Sequence, residues 1–271
     1  MSPPKNPTSQ AVAAHVGRVW HRGAQCRDAT ILRDCPPGWI RHDPSKPPGD
    51  VPSNAATRVM WTDSTTPLRE PDIAAAFKAL RELQATRAYI WLSPFAWEHT
   101  TDALLASVGA TPWPHVEYPT LVRRATTFTS DRGRDFTIRR FTLDEAPAIF
   151  AHVMPWYGKD GIPAALQGIE RGFAEFHAAF HESQIGPVPI SIGAIIPDGD
   201  FAYLGWMGTD PAYRGKGAQA ALIAARVRRA AELGATWCTS ETSSAVSTSL
   251  NNLQRAGFEV SLQWRVYRWV L

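Results

Sequence analysis

The chain has 271 residues, 44% of them apolar and 20% charged, enough to bury a substantial core in one large or two smaller domains. A formal charge of +3, with basic residues dispersed apart from pairs such as Arg123-Arg124, Arg139-Arg140 and Arg228-Arg229, argues against nucleic-acid binding. Three scattered cysteines (Cys26, Cys35, Cys238), no apolar run near ~20 residues and a polar, Pro-rich Met1–Gln10 argue against a disulfide framework, a zinc site, a membrane span and a signal peptide, so the expectation is a cytoplasmic protein without a metal. In chain order, Cys35 to Ser53 carries Pro36, Pro37, Pro44, Pro47, Pro48 and Pro52 and reads as a long loop. A helical run from Pro71 closes at Glu82-Leu83-Gln84-Ala85-Thr86 before strand-like Ala88–Leu92, and Gly109-Ala110 leads into the β-rich 111–124. The polar stretch Thr126–Arg134 is the expected boundary between domains 1–130 and 131–271. Strand-like Phe136–Phe141 follows, then a helix opened by Leu143-Asp144-Glu145 and a second helix over 163–181, where Phe173, Phe176, His177 and Phe180 at helical spacing read mostly as core. Val188–Ile196 turns at Pro197-Asp198-Gly199-Asp200 into the strand Phe201–Gly208, a hairpin signature.

The next segment carries the chemistry. Thr209-Asp210-Pro211-Ala212-Tyr213-Arg214-Gly215-Lys216-Gly217-Ala218-Gln219 stops the strand and opens a helix that ends near Leu233. First-turn N–H groups have no intrahelical acceptor and the macrodipole adds roughly half a positive charge, so such a turn suits phosphate. Gly215 and Gly217 remove the Cβ atoms that would hold a ligand away, while Arg214 and Lys216 add charge. With one Gly-x-Gly and no Gly-Lys-Ser/Thr ending, the segment fits neither the dinucleotide fingerprint nor the nucleoside-triphosphate loop. Beyond it come strand-like Trp237–Glu241, a helix Ser247–Ala256 ending in Gly257-Phe258, and a β-rich tail 259–270.

Arg214-x-x-Gly217-x-Gln219 after such a strand resembles the acyl-coenzyme A loop of the GNAT acetyltransferase superfamily, Arg/Gln-x-x-Gly-x-Gly/Ala, with Gln219 departing from the usual small residue. The order of loop, helix, strand, helix ending in Gly-Phe and final strands matches as well, over residues 135–271. The resemblance implies a mixed α/β sheet, acetyl-coenzyme A as cofactor, and an N-acetyltransferase that moves the acetyl group directly to a primary amine of a small molecule. A non-catalytic acyl-coenzyme A-binding or interaction module is the alternative. It further implies that the strand before the loop splays from its neighbour, that Met207, Gly208 and Thr209 pair with the pantetheine arm, and that Arg214, Gly215, Lys216, Gly217, Ala218 and Gln219 hold the diphosphate.

Glu241, at the end of a central strand, is the candidate base, with a binding or structural role as the competing reading. Many members of the superfamily place a tyrosine four residues before the Gly-Phe glycine to protonate the thiolate. That position is Leu253, so Tyr203, Tyr267 or a water takes the role, or the thiolate leaves unassisted. Ser249 and Asn252 are a helical turn apart and either touch the cofactor or serve as surface and capping polarity. Aromatic residues on or near the two helices after the boundary, Trp156 and Tyr157 among them, suggest a hydrophobic or aromatic amine, with a monomer or homodimer as the assembly. An internal echo spans the chain: Glu82–Thr86 recurs as Glu232-Leu233-Gly234-Ala235-Thr236, and Leu105 before Gly109 as Leu253 before Gly257, offsets of 148 to 150 positions. Two similar domains in tandem are expected, the first degenerate because its counterpart of the phosphate loop, Asp63-Ser64-Thr65-Thr66-Pro67, has neither glycine nor base.

Overall fold

The computed structural model describes residues 6–27, 30–50, 52, 55–62, 66–113, 117–126, 128, 136–155, 158–184 and 186–271, with backbone alone at 158–161. The chain divides into two compact units, Met1–Thr120 with Ser243–Ala245 and Val260–Leu271, and Leu121–Thr242 with Val246–Glu259.

In unit 1, Thr8 caps helix α1 (Ser9–Gln25) by accepting from the Ala11 N–H at 3.2 Å, and Val12, Val16 and Val19, a turn apart, are buried. Strands β1 (Ile31–Cys35), β2 (Gly38–His42) and β3 (Thr57–Trp61) are antiparallel neighbours. Helix α2 (Glu70–Glu82) then crosses to β4 (Arg87–Leu92), parallel to β3, and α3 (His99–Ser107) leads to β5 (Ala110–Pro112). The next strand of this sheet comes from the far end of the sequence: β12 (Glu259–Val270) runs antiparallel to both β4 and β5. Ile40, Val59, Ile90 and Trp269 meet Phe77 and Leu80 of α2 in the core. The long loop expected over 35–53 is overturned in its first part. Pro36-Pro37 and Pro44 bracket β2 rather than interrupt it, so no ladder N–H is lost.

Strand β6 (Tyr118–Arg124) is divided between the units at Thr120/Leu121. The rest of unit 2 comprises β7 (Thr137–Arg140), α4 (Ala146–Val153), α5 (Gly158–Glu170), β8 (Glu175–Ser183), β9 (Gly186–Asp198), β10 (Phe201–Thr209), α6 (Ala218–Glu232), β11 (Trp237–Glu241) and α7 (Ser247–Arg255). Strands β7 to β10 form an antiparallel meander, and β11 adds parallel to β10. Ile223 and Val227 of α6 pack with Ala202, Leu204, Cys238 and Leu253 in the core of this unit.

The helix expected over 163–181 is two elements. Gly172, at φ 64°, ends α5, Phe173 and Ala174 N–H groups close on the Gly168 carbonyl at 2.9 and 3.1 Å, and β8 starts at Glu175. Phe176 and Phe180 are four apart, which satisfies a strand's period of two as well as a helix's spacing, and pairing with β7 and β9 decided between them.

The echo in the sequence has a structural counterpart. The run β2, β3, α2, β4, α3 repeats as β9, β10, α6, β11, α7, each with an antiparallel pair followed by a parallel crossover. Helices α2 and α6 end alike: Gln84 (φ 56°) and Gly234 (φ 85°) are left-handed, and the Ala85 and Ala235 N–H groups reach back to Leu80 and Ala230 carbonyls at 3.0 Å. One difference matters. In unit 1 the parallel pair stays zipped from Arg58↔Tyr89 to Trp61↔Leu92, extended by Ser93 N–H to the Trp61 carbonyl at 3.1 Å. In unit 2 the pairing of β10 with β11 stops at Tyr203↔Thr239, although both strands continue.

A left-handed residue with a Cβ costs roughly 1 kcal/mol. Gly234→Ala should therefore lower stability by about that amount, and Gln84→Gly should raise it by up to about as much, as read from urea unfolding.

Candidate functional site

The site starts where the β10–β11 ladder ends. Ser240 Oγ donates to the Leu204 carbonyl at 2.8 Å, replacing the next strand bond, and beyond it every residue from Gly205 to Asp210 is half-buried although β10 is an interior strand. On its other side β10 is irregular too. The register with β9 shifts between Gly205 and Gly208, and Trp206 takes φ 46°, a conformation costly for a bulky residue. Ser191 of β9 holds the far end of this bulge, donating from Oγ to the Gly208 carbonyl at 2.8 Å with Thr209 Oγ1 also at 2.8 Å. Met207, Gly208 and Thr209 therefore lie together on the stretch of β10 that has parted from β11.

Asp210 turns the chain. Its N–H donates to the Ile190 carbonyl at 2.9 Å and its Oδ1 accepts from the Ala212 N–H at 2.9 Å, starting a 3-10 turn over Pro211–Tyr213. Gly215 (φ 78°) and Gly217 (φ 88°) then bring the chain into α6, in a conformation that disfavours side chains, and open space lies where a Cβ at 215 would stand. The first turn of α6 carries no acidic residue, and its first hydrogen bond runs from the Ala221 N–H to the Gly217 carbonyl at 3.0 Å, so the N–H groups of Ala218, Gln219 and Ala220 precede any intrahelical acceptor. Ala218 is buried against Ala179 and Ile190, which fixes the direction of that turn. Arg214 and Lys216 are exposed, and Lys216 Nζ lies 4.7 Å above the Tyr213 ring.

Gln219 does what a small residue would not. Its Oε1 accepts from Asn252 Nδ2 at 3.0 Å and its Nε2 lies 3.8 Å from Met207 Sδ, so one side chain links α6, α7 and the free half of β10. Asn252 Oδ1 accepts in turn from Arg255 at 2.7 Å, and Ser249 sits half-buried one turn earlier on α7.

The candidate catalytic residues share a face. Tyr203 and Thr239 are register partners in a parallel pair, and Glu241 is two residues beyond Thr239, so alternation puts Tyr203, Thr239 and Glu241 on one side of the sheet. Ala202, Leu204 and Cys238 occupy the other side, under α6. The Tyr203 ring lies over Gly205, where a Cβ would come within 2.6 Å of it. Trp206 stacks on Phe176 at 5.2 Å, and its ring edge is 3.6 Å from where a Cβ on Gly168 of α5 would stand.

Three other residues are committed elsewhere. The Tyr267 hydroxyl donates to Asp102 in unit 1, beside the Trp97 indole, and is committed there. Leu253 is fully buried in the core of unit 2 and offers no proton. His177 is buried on β8 and pushed down to about 4 by desolvation and then by Arg226, which makes it a packed histidine rather than a base. Burial also pushes the Cys238 thiol up to about 12, so it is no nucleophile at neutral pH. Trp156 and Tyr157 lie outside the described residues, as does Asp63-Ser64-Thr65 of the unit 1 counterpart loop. Among the described residues no group of three or more His, Cys, Asp or Glu is placed to hold a metal ion, and no helix is long and apolar enough to cross a membrane.

Residue-by-residue reading of the sequence missed Ser191, Trp206, Arg226 and Ser240. The signal for Trp206 was the bracketing Gly205-Trp206-Met207-Gly208, since glycines inside a strand mark a bulge.

Neither a protein-family model nor a curated protein matches the sequence. Solved structures do match in shape. A GCN5-related N-acetyltransferase from Kribbella flavida is 18% identical with a TM-score of 0.66, covering 95% of both chains. A tandem GNAT protein from the clavulanic acid biosynthesis pathway is 14% identical with a TM-score of 0.65, covering 99% of this chain and 88% of its own. FemX is 10% identical with a TM-score of 0.52 over 98% and 97%. With the splayed β10, the bulge at Trp206 and the open α6 turn, these likenesses establish that the chain has the GCN5-related N-acetyltransferase fold.

Proposed function

We propose that the chain is an N-acyltransferase that moves acetyl from acetyl-coenzyme A to a primary amine of a small molecule, with unit 2 carrying the reaction. The observation that supports this most is the parting of β10 from β11 directly before an α6 turn whose N–H groups and glycines are open. An acyl-coenzyme A fits the residues present. The N–H groups from Gly215 to Gln219, with Arg214 and Lys216, suit its diphosphate. The free edge at Met207–Thr209 suits the amides of its pantetheine arm as an added strand, flanked by Gln219 and, through it, Asn252. Bound there, it supplies an acyl group activated as a thioester: the amine nitrogen takes that group, the C–S bond breaks with its electron pair on sulfur, and the amine gives up a proton.

The chain's own residues then manage charge and protons. Glu241 takes the ammonium proton, directly or through water, because an alkylamine is mostly protonated at neutral pH and attacks only once neutral, and the second nitrogen proton, lost after attack, passes to solvent. Tyr203, on the same face, offers its hydroxyl proton to the departing sulfur. The half-exposed Trp206, stacked on Phe176, favours an acceptor with a hydrophobic or aromatic part. Three buried free thiols suit the reducing cytoplasm. Unit 1 shares the topology but binds no cofactor, because its parallel pair remains zipped where unit 2 opens. The buried Leu253 in place of a tyrosine favours a second reading, a non-catalytic acyl-coenzyme A-binding module.

Thiol release from acetyl-coenzyme A across a panel of amines separates the two readings, with turnover of at least one amine expected; tight binding without any turnover would favour the module. Calorimetry should give one equivalent of coenzyme A per chain, and two equivalents would reject the inert unit 1. Arg214→Glu and Gly217→Val should each weaken that affinity at least ~10-fold, by opposing the phosphate charge or blocking the backbone approach. Glu241→Gln should lower kcat by about 10²-fold or more with cofactor affinity retained, and an unchanged rate would remove it as the base.

A further inference from the structure

A bulge leaves backbone groups without their strand partners. In β9 and β10 the side chain that meets them comes from the middle of α6. Arg226, 0% exposed, donates from Nη1 to the Ala194 carbonyl of β9 at 3.0 Å and to the Gly205 carbonyl of β10 at 3.4 Å, and from Nε to the Leu222 carbonyl of its own helix at 3.2 Å. Room for the guanidinium depends on residue 193 being glycine, because a Cβ there would stand 2.6 Å from Arg226 Cζ. Among the described residues no carboxylate forms an ion pair with it, and burial lowers its pKa to about 9, which still leaves it charged at neutral pH. A buried cation without a counter-charge is costly, and an apolar side chain would fill the same space more cheaply.

The direction of one peptide says what this charge can do. The Gly205–Trp206 bond is trans and planar, so its N–H points opposite to its carbonyl. The carbonyl accepts from Arg226, which reaches it from α6, so the Trp206 N–H at the opposite end of the peptide is directed away from that guanidinium. The β9 register skips Trp206 and Met207, the place where a bulge takes backbone groups out of the regular ladder. A charge-assisted hydrogen bond at one end of an amide strengthens the donor at its other end. A stronger donor aimed at a developing oxyanion lowers the barrier to acyl transfer.

We infer that Arg226 is a positioning residue for acyl transfer, which by gripping the Gly205 carbonyl both turns and polarises the Gly205–Trp206 peptide so that the Trp206 N–H serves the thioester oxygen. This rests on the acyltransferase reading of unit 2. Infrared difference spectra of carbonyl-labelled acetyl-coenzyme A test it without turnover. The wild-type protein should shift the thioester carbonyl stretch below its value in solution. Arg226→Met should return it toward that value and lower kcat by about 10²-fold while coenzyme A affinity stays within about 3-fold, and Arg226→Lys should restore part of both. If Arg226→Met does not fold, the spectrum is read on Arg226→Lys and on Gly193→Ala, which displaces the guanidinium while keeping its charge; one of them must lose part of the shift. A full shift retained in every folded variant would overturn the role of Arg226. Failure of the wild-type protein to bind acetyl-coenzyme A would instead overturn the acyltransferase reading itself.

Discussion

An interior strand ordinarily pairs along both edges, since a buried N–H or carbonyl left without a partner costs as much as a lost hydrogen bond. Strand β10 departs from that on both sides over the same few residues, parting from β11 after Tyr203 and slipping against β9 between Gly205 and Gly208. Side chains take over what the ladders give up: Ser240 serves Leu204, Ser191 serves Gly208 and Arg226 serves Gly205. Those three side-chain bonds hold β10 in its irregular course, and the α6 turn that follows is aimed by where the strand ends.

Comparison of the two units separates fold from chemistry. Both build an antiparallel pair, a crossover helix and a parallel strand, and both close that helix with a left-handed residue. Only unit 2 has the glycines that permit a bulge in the middle of its strand. The counterpart of β10 in unit 1 is β3, whose Arg58-Val59-Met60-Trp61 continues in register with β4. A shared topology thus carries an interrupted parallel pair in one case and a continuous one in the other, for reasons confined to a few backbone positions.

Two local readings failed for the same reason. Phe176 and Phe180 fit a helix and a strand equally well over so short a window, and β8 was decided by neighbours that are distant in the sequence, Thr137–Arg140 and the residues of β9. The prolines around β2 look disruptive when counted, yet they stand at its ends, where a missing N–H is harmless. In each case the deciding information was which other strand lies alongside.

What the sequence determined by itself was the glycine-rich turn proposed to hold the diphosphate, because its ingredients are consecutive: a strand end, a capping Asp210, Gly215 and Gly217 with basic neighbours, and a helix start. It also determined the echo between the two halves, carried by helix ends that need a left-handed residue at a fixed place. Tertiary structure alone decided that β12 pairs with β4 and β5, that Gln219 joins α6 to α7, that Leu253 is buried, and that Arg226 reaches the bulge from more than a turn inside a helix. Consecutive residues constrain one another through backbone dihedrals and can be read locally. Contacts across 20 or 30 positions follow from how strands and helices pack, and no short stretch of sequence encodes them.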